Sequence, residues 1–291
     1  MQLDKTRVAI RERSQSDIMD LAVRVVRGHL AALVSAWLIG ALPLALVNAW
    51  ALSSRFPSDA ADDMPTAYLW HLAVLMIWEI PLATAPITLY LGKAIFVERP
   101  SRRELVGQYF SRLGQLLWYQ GVLRGCLPCL AVYGYVSGMH GSLLFFIEVV
   151  MCLIWFGVYV MWPYQNEVLL LERSPWRSQH GRVSTWTRTR NMHALGASSQ
   201  FGRWIVSLAI AALLTFTSFM AMDWIRSTLS FDSQADAWTY QLLLPLAAWI
   251  VIGYFATVRF LSYLDLRIRT EGWEIELLLR AEGARLTRQL A

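Results

Sequence analysis

Apolar stretches of span length alternate with short polar segments six times along the chain. Crossing about 30 Å of hydrocarbon takes about 20 apolar residues in a helix. Such stretches fall near Leu30–Leu52, Ala67–Leu91, Gln115–Val136, Leu143–Pro163, Trp204–Ile225 and Tyr240–Leu261. Barrel strands alternate apolar and polar residues, and these stretches do not. Backbone groups in lipid must also be satisfied within the segment, so the spans are expected to be helices. The expected fold is all-α, a polytopic membrane bundle of six transmembrane helices. Residues 1–29 form an N-terminal interfacial segment, 30–261 the bundle and 262–291 a C-terminal cytoplasmic helix.

The polar segments carry patterns of their own. Ser101 and Glu104 make a capping box after Pro100, and Leu105, Val106, Tyr109, Phe110, Leu113, Leu116 and Leu117 then recur at helical spacing. This predicts an amphipathic interfacial helix running into the third span. The stripe Ile18, Leu21, Ala22, Val25 and Val26 predicts another before the first span, with Arg24 and Arg27 at the headgroups. Residues 174–200 lack such a stripe and read as a basic surface loop. A Tyr precedes a Glu by eight residues at Tyr90 and Glu98, Tyr164 and Glu172, and Tyr263 and Glu271. Either this marks three pseudo-repeated helical hairpins or it is coincidence among interfacial tyrosines.

Composition agrees with the span pattern: 56% hydrophobic and 16% charged residues is too apolar for a soluble domain of 291 residues. Charge adds an orientation. Of the 26 Lys and Arg, only Arg55 and Arg226 fall in the segments after odd-numbered spans; Arg124 lies inside the third span, and Arg259 closes the inner end of the sixth. The rest lie on the other side, and by the positive-inside rule both termini are expected in the cytoplasm. The polar start predicts that the first span is retained as the insertion signal rather than cleaved. The net charge of +5 is explained by anionic lipid headgroups on the cytoplasmic side, and no nucleic-acid partner is expected.

Ionisable residues inside the bilayer are the candidate chemistry. Glu79 and Arg124 fall at similar depth in the second and third spans, and Glu148 in the outer half of the fourth. An isolated charge at the centre of a span costs about 2.5–3.5 kcal/mol on insertion scales, so Glu79 and Arg124 are expected to pair. The pair is either a structural lock or a midplane polar site. Gly121 with Gly125, and Gly134 with Gly138, have the four-residue spacing that lets helices approach closely, within the chain or in a dimer. Cys126 and Cys129 have C-x-P-C spacing, but their place in a span favours packing over redox chemistry. The five His are scattered, so no metal site, cofactor or catalytic residue is expected.

The ending Tyr263–Leu277, with Asp265, Arg267, Arg269, Glu271 and Trp273, resembles that of a broad group of uncharacterised bacterial multi-pass membrane proteins. These are similar to the membrane domain attached to some glycerophosphodiester phosphodiesterases. The resemblance implies a six-span protein of the bacterial inner membrane. It carries no enzymatic role, because the phosphodiesterase barrel has no counterpart here. Physically, Asp265 and Arg269 can pair at i,i+4, and Trp273 can anchor at the headgroups.

The expected function is therefore a non-enzymatic integral membrane scaffold or accessory subunit, partnered by another membrane protein or a second copy. The alternative is a small transporter or lipid-handling protein with a midplane polar site.

Overall fold

The computed structural model describes residues 13–53, 56, 65–94, 100–122, 126–138, 141–172, 175, 184–194, 197–231 and 237–271. Ten α-helices follow in chain order: α1 (Gln15–Gly28), α2 (Leu30–Ser53), α3 (Thr66–Ala94), α4 (Arg102–Leu116), α5 (Cys126–Val136), α6 (Ser142–Met161), α7 (Gln165–Leu171), α8 (Thr185–Ala194), α9 (Ala197–Ser230) and α10 (Leu244–Glu271). Short π-helical turns, Leu117–Val122 and Thr239–Leu243, follow α4 and precede α10. No strand occurs among the described residues.

Among the described residues, four helical stretches are long and apolar enough to cross a membrane: Leu30–Ser53, Thr66–Ala94, Phe201–Ser230 and Thr239–Arg269. They correspond to the first, second, fifth and sixth expected spans. The other two fall on shorter helices. Along the third, α4 loosens into the π turn Leu117–Val122, and the described chain resumes as α5 from Cys126, with residues 123–125 outside the described residues. The fourth is α6, of 20 residues, and it continues after a break at Trp162–Tyr164 into α7. Pro163 stands at that break.

α3 is the centre of the bundle. Its neighbours are α2, α4, α5, α7 and α10, and its residues are buried on every side from Leu82 to Leu91. By contrast α2 buries a single stripe, Leu33, Ala36, Gly40, Ala41, Asn48 and Leu52, at helical spacing against α3. Its other side, with Leu42, Leu46, Val47 and Trp50, is exposed, as a lipid-facing surface should be. The same holds along α9 at Ile205, Val206, Leu213, Phe216 and Met220.

Close approach occurs where the chain has small residues, though at other positions than the glycine pairs suggest. A Cβ on Gly40 would collide with the backbone carbonyl of Ala83, so only glycine lets α2 lie this near α3. Gly253 similarly admits the Trp37 ring, with its Cδ1 at 2.9 Å from where a Cβ would be, and Trp37 Nε1 donates to Trp249 O at 2.9 Å. Around Gly134 nothing lies within 4 Å, and Gly121 faces only Leu117 of its own turn. Gly138 ends α5 with φ 77°, a conformation that favours glycine, and Gly125 lies outside the described residues. Among the described residues, Gly121 and Gly134 meet no other helix.

The interfacial helices match their stripes. Ser14 caps α1 in a reciprocal box with Asp17, and Ile18 and Ala22 are fully buried against the bundle, where Tyr254 Oη donates to Met19 O at 3.1 Å. Ser101 Oγ accepts from Glu104 N at 3.2 Å to start α4, which buries Leu105, Tyr109 and Leu116. The Glu104 carboxylate meets Lys93 at the end of α3; that ammonium, with a smaller contribution from the Ser101 N–H, holds it below the usual carboxylate range.

Substituting Gly40 by Ala should force α2 and α3 apart and cost about 1–3 kcal/mol, whereas Gly134→Ala should stay within about 0.5 kcal/mol of the parent. Unfolding of the detergent-solubilised protein measures both, and equal loss in the two variants contradicts this packing.

Candidate functional site

Polar side chains divide into three groups along α3. The first lies where α2 ends and α3 begins. His71 Nδ1 is 2.6 Å from Ala67 O, which can only accept, so Nδ1 carries the ring proton. On its other side Nε2 is 2.7 Å from Glu148 Oε1 of α6, a contact that is ionic only when Nε2 carries a proton as well. Glu148 Oε1 also accepts from Trp70 Nε1 at 2.9 Å, and Tyr135 of α5 stacks on the His71 ring at 3.7 Å and 8°. Glu148, expected as a further intramembrane acid, is thus part of a four-residue cluster joining α3, α5 and α6.

Glu79, two turns further along α3, is 2% exposed. Asn48 Nδ2 of α2 donates to its Oε2 at 2.7 Å. Among the described residues no cation pairs with it. Arg124, its expected partner, lies outside the described residues, as do Gly125 and Trp273. Beside Asn48 is a cavity of about 20 Å³ lined by Ala45, Asn48, Ala49, Tyr68, Leu72, Gln241, Pro245 and Trp249.

The half of α3 nearer Lys93 holds a buried ion pair that residue spacing did not point to. Glu167 of α7 is completely buried, and Arg259 of α10 donates from Nε to its Oε1 at 2.7 Å. Arg259 also donates to Thr84 Oγ1 of α3 at 2.8 Å, and Asn166 Nδ2 donates to Pro81 O at 3.0 Å. Arg259 lies inside the apolar stretch Thr239–Arg269 and Thr84 inside Thr66–Ala94, which places the cluster within the spanning part of the bundle. It can form because the break at Trp162–Tyr164 offsets α7 from α6 and brings Gln165, Asn166 and Glu167 inward; Leu171 then packs on Gly92. The signal was present in the chain: Arg259 is a charge within an apolar run and demands a partner. Glu167 was disguised because Pro163 reads as the end of its span.

At the end of α3 that carries Lys93, the network continues. Arg188 of α8 donates to both carboxylate oxygens of Glu172, at 2.6 and 3.1 Å. Tyr263 Oη donates to Glu172 Oε1 at 2.9 Å, and Arg267 Nε lies 3.8 Å from the same oxygen. Asp265 ties three segments together. It accepts from Arg203 of α9 at 2.8 Å, from Arg269 at 3.0 Å across one helical turn, and from the backbone N–H of Arg13 at 2.8 Å. Of the expected ending, Asp265 and Arg269 therefore share one cluster, and Arg267 approaches the other, around Glu172. Glu271 closes α10, and its side chain is not described.

No family model, curated protein or solved structure matches the chain. Roles for these residues consequently rest on their geometry. That geometry is mostly closed: Glu148, Glu167, Glu172 and Asp265 all meet cations or donors from other helices. Among the described residues no three His, Cys, Asp or Glu side chains gather as metal ligands. Cys152 is free and buried; the side chains of Cys126 and Cys129 lie outside the described residues.

Removing one member of the inner pair strands the other's charge. Arg259→Met should destabilise the protein by about 3–5 kcal/mol, and pairing it with Glu167→Leu should recover most of the loss. Thermal unfolding of the single and double variants in detergent reads the difference; additive losses contradict the pairing.

Proposed function

We propose that this protein is a non-enzymatic, multi-pass scaffold or accessory subunit of a bacterial inner-membrane assembly. In this reading the chain spans the membrane six times, the interrupted α4–α5 and α6–α7 paths supplying the third and fourth spans. Both termini are cytoplasmic. The end bearing Lys93, Arg188, Arg203 and Arg269 is the inner one, where anionic headgroups meet the cations. The Tyr-to-Glu repeat would make the bundle three hairpins, and the resemblance of the ending to six-span bacterial proteins is in keeping with this layout.

The observation that carries the proposal is the Glu167–Arg259–Thr84 cluster together with the Asp265 hub. Buried charges spent on one another across α1, α3, α7, α9 and α10 hold helices in a set arrangement. They leave the outward apolar surfaces of α2, α6 and α9 for lipid and neighbouring membrane helices. A network of this kind stiffens a platform.

The alternative of a small transporter draws on one observation, the cavity beside Asn48. At about 20 Å³ it admits one water-sized species, well short of an organic solute.

Extraction of the protein with its surrounding native lipid, followed by native mass spectrometry, tests the proposal. The expected result is a discrete assembly heavier than the 33.2 kDa chain, with a second membrane protein or another copy at fixed stoichiometry. A strictly monomeric chain that moves a solute across reconstituted vesicles overturns it.

A further inference from the structure

We propose that the cavity between α2, α3 and α10 is a binding site for a single water, and that this water is the route by which the Glu79 carboxyl group exchanges its proton with the outer face. The proposal is independent of the scaffold reading.

The cavity chemistry selects the ligand. Two of its lining residues carry buried polar atoms without a hydrogen-bond partner, Asn48 Oδ1 and Trp249 Nε1. Asn48 is 3% exposed and Trp249 2%. One atom accepts and the other donates, so an occupant satisfying both must donate to Asn48 and accept from Trp249. A metal ion or ammonium cannot accept from an indole N–H, whereas water does both. A volume of about 20 Å³ fits one water and little more. Tyr68 and Gln241 supply further polar groups in the wall. Gln241 sits on the π turn Thr239–Leu243, a geometry that often marks functional positions in helices.

Position gives the water its role. Tyr68 lies near the start of α3, Asn48 near the end of α2 and Gln241 just before α10, so the cavity is within about two turns of the outer end. On its inner side Asn48 Nδ2 donates to Glu79 Oε2 at 2.7 Å. A buried carboxyl group with no paired cation among the described residues is cheapest as the neutral acid. Asn48 then stands as a gate, its amide nitrogen on the acid and its oxygen towards the water. Swinging the amide aside lets the water reach the carboxyl group. The proton leaving Glu79 passes to water, one from the outer solvent replaces it, and no other bond changes. The titratable groups around this path are Tyr68 on α3, Tyr135 on α5, and His71 with Glu148 between α3 and α6; Arg124, expected at this depth, lies outside the described residues.

The test uses the full chain in lipid nanodiscs. Infrared spectroscopy should show a protonated carboxyl band that is lost in Glu79→Gln and shifts after transfer to D₂O. Ala45→Leu fills the cavity and should slow that shift at least tenfold. Ala49→Leu fills the same cavity from the next turn of α2 and should slow it in the same direction, covering the case in which Ala45→Leu does not fold. A high-resolution map should show one ordered water between Asn48 and Trp249 in the parent and none in Ala45→Leu. Absence of the Glu79 band, absence of the water, or exchange as fast in the folded variants as in the parent overturns the proposal.

Discussion

A guanidinium group cannot stand alone among apolar helices, and the way Arg259 is answered organises the inner half of this protein. Taking a charge out of water costs several kcal/mol unless a counter-charge and hydrogen bonds replace the lost hydration. Glu167 supplies the charge and Thr84 an acceptor. To reach Arg259, Glu167 has to sit inside the bundle. That is possible because the chain breaks at Trp162–Tyr164 and resumes as α7 between α3 and its neighbours. Gln165 and Asn166 are drawn in with it, and Asn166 then satisfies a carbonyl of α3 beside Pro81.

The rest of the inner end follows from that placement. Once α7 runs beside α3, its last turn delivers Glu172 to Arg188 and Tyr263, which attaches α8 and α10. One helical turn from Arg259 to Tyr263, and a little further to Asp265, brings α10 to α9 and to the chain before α1. Each of these pairs alone would be a weak argument for stability. Together they define which helices meet and in what register, the use for which buried ion pairs are best suited.

The outer half is built differently. There His71 and Tyr135 stack beside the Glu148 carboxylate, and the contacts between α2 and α3 depend on a glycine and a stripe of small apolar residues. Asn48, Trp249 and Gln241 line a small cavity there.

Much of the architecture was legible in the chain because it depends on local composition and spacing. Apolar runs of sufficient length had to become buried or lipid-facing helices, Ser101 had to start an amphipathic one, and Asp265 with Arg269 could pair through helical geometry alone. The partner of a buried charge is not local. Glu167 and Arg259 are far apart in the chain, as are Asn48 and Glu79 on separate helices, and their meeting depends on how helices pack and where one of them breaks. Glycine spacing likewise marks where approach is permitted, while the facing surface decides where it happens, at Gly40 and Gly253 rather than at Gly121 and Gly134. The sequence by itself determined that this is an all-helical membrane protein with its cations gathered between particular spans. Only the tertiary structure decided which charges neutralise one another, because burial imposes that requirement and only packing in three dimensions can meet it.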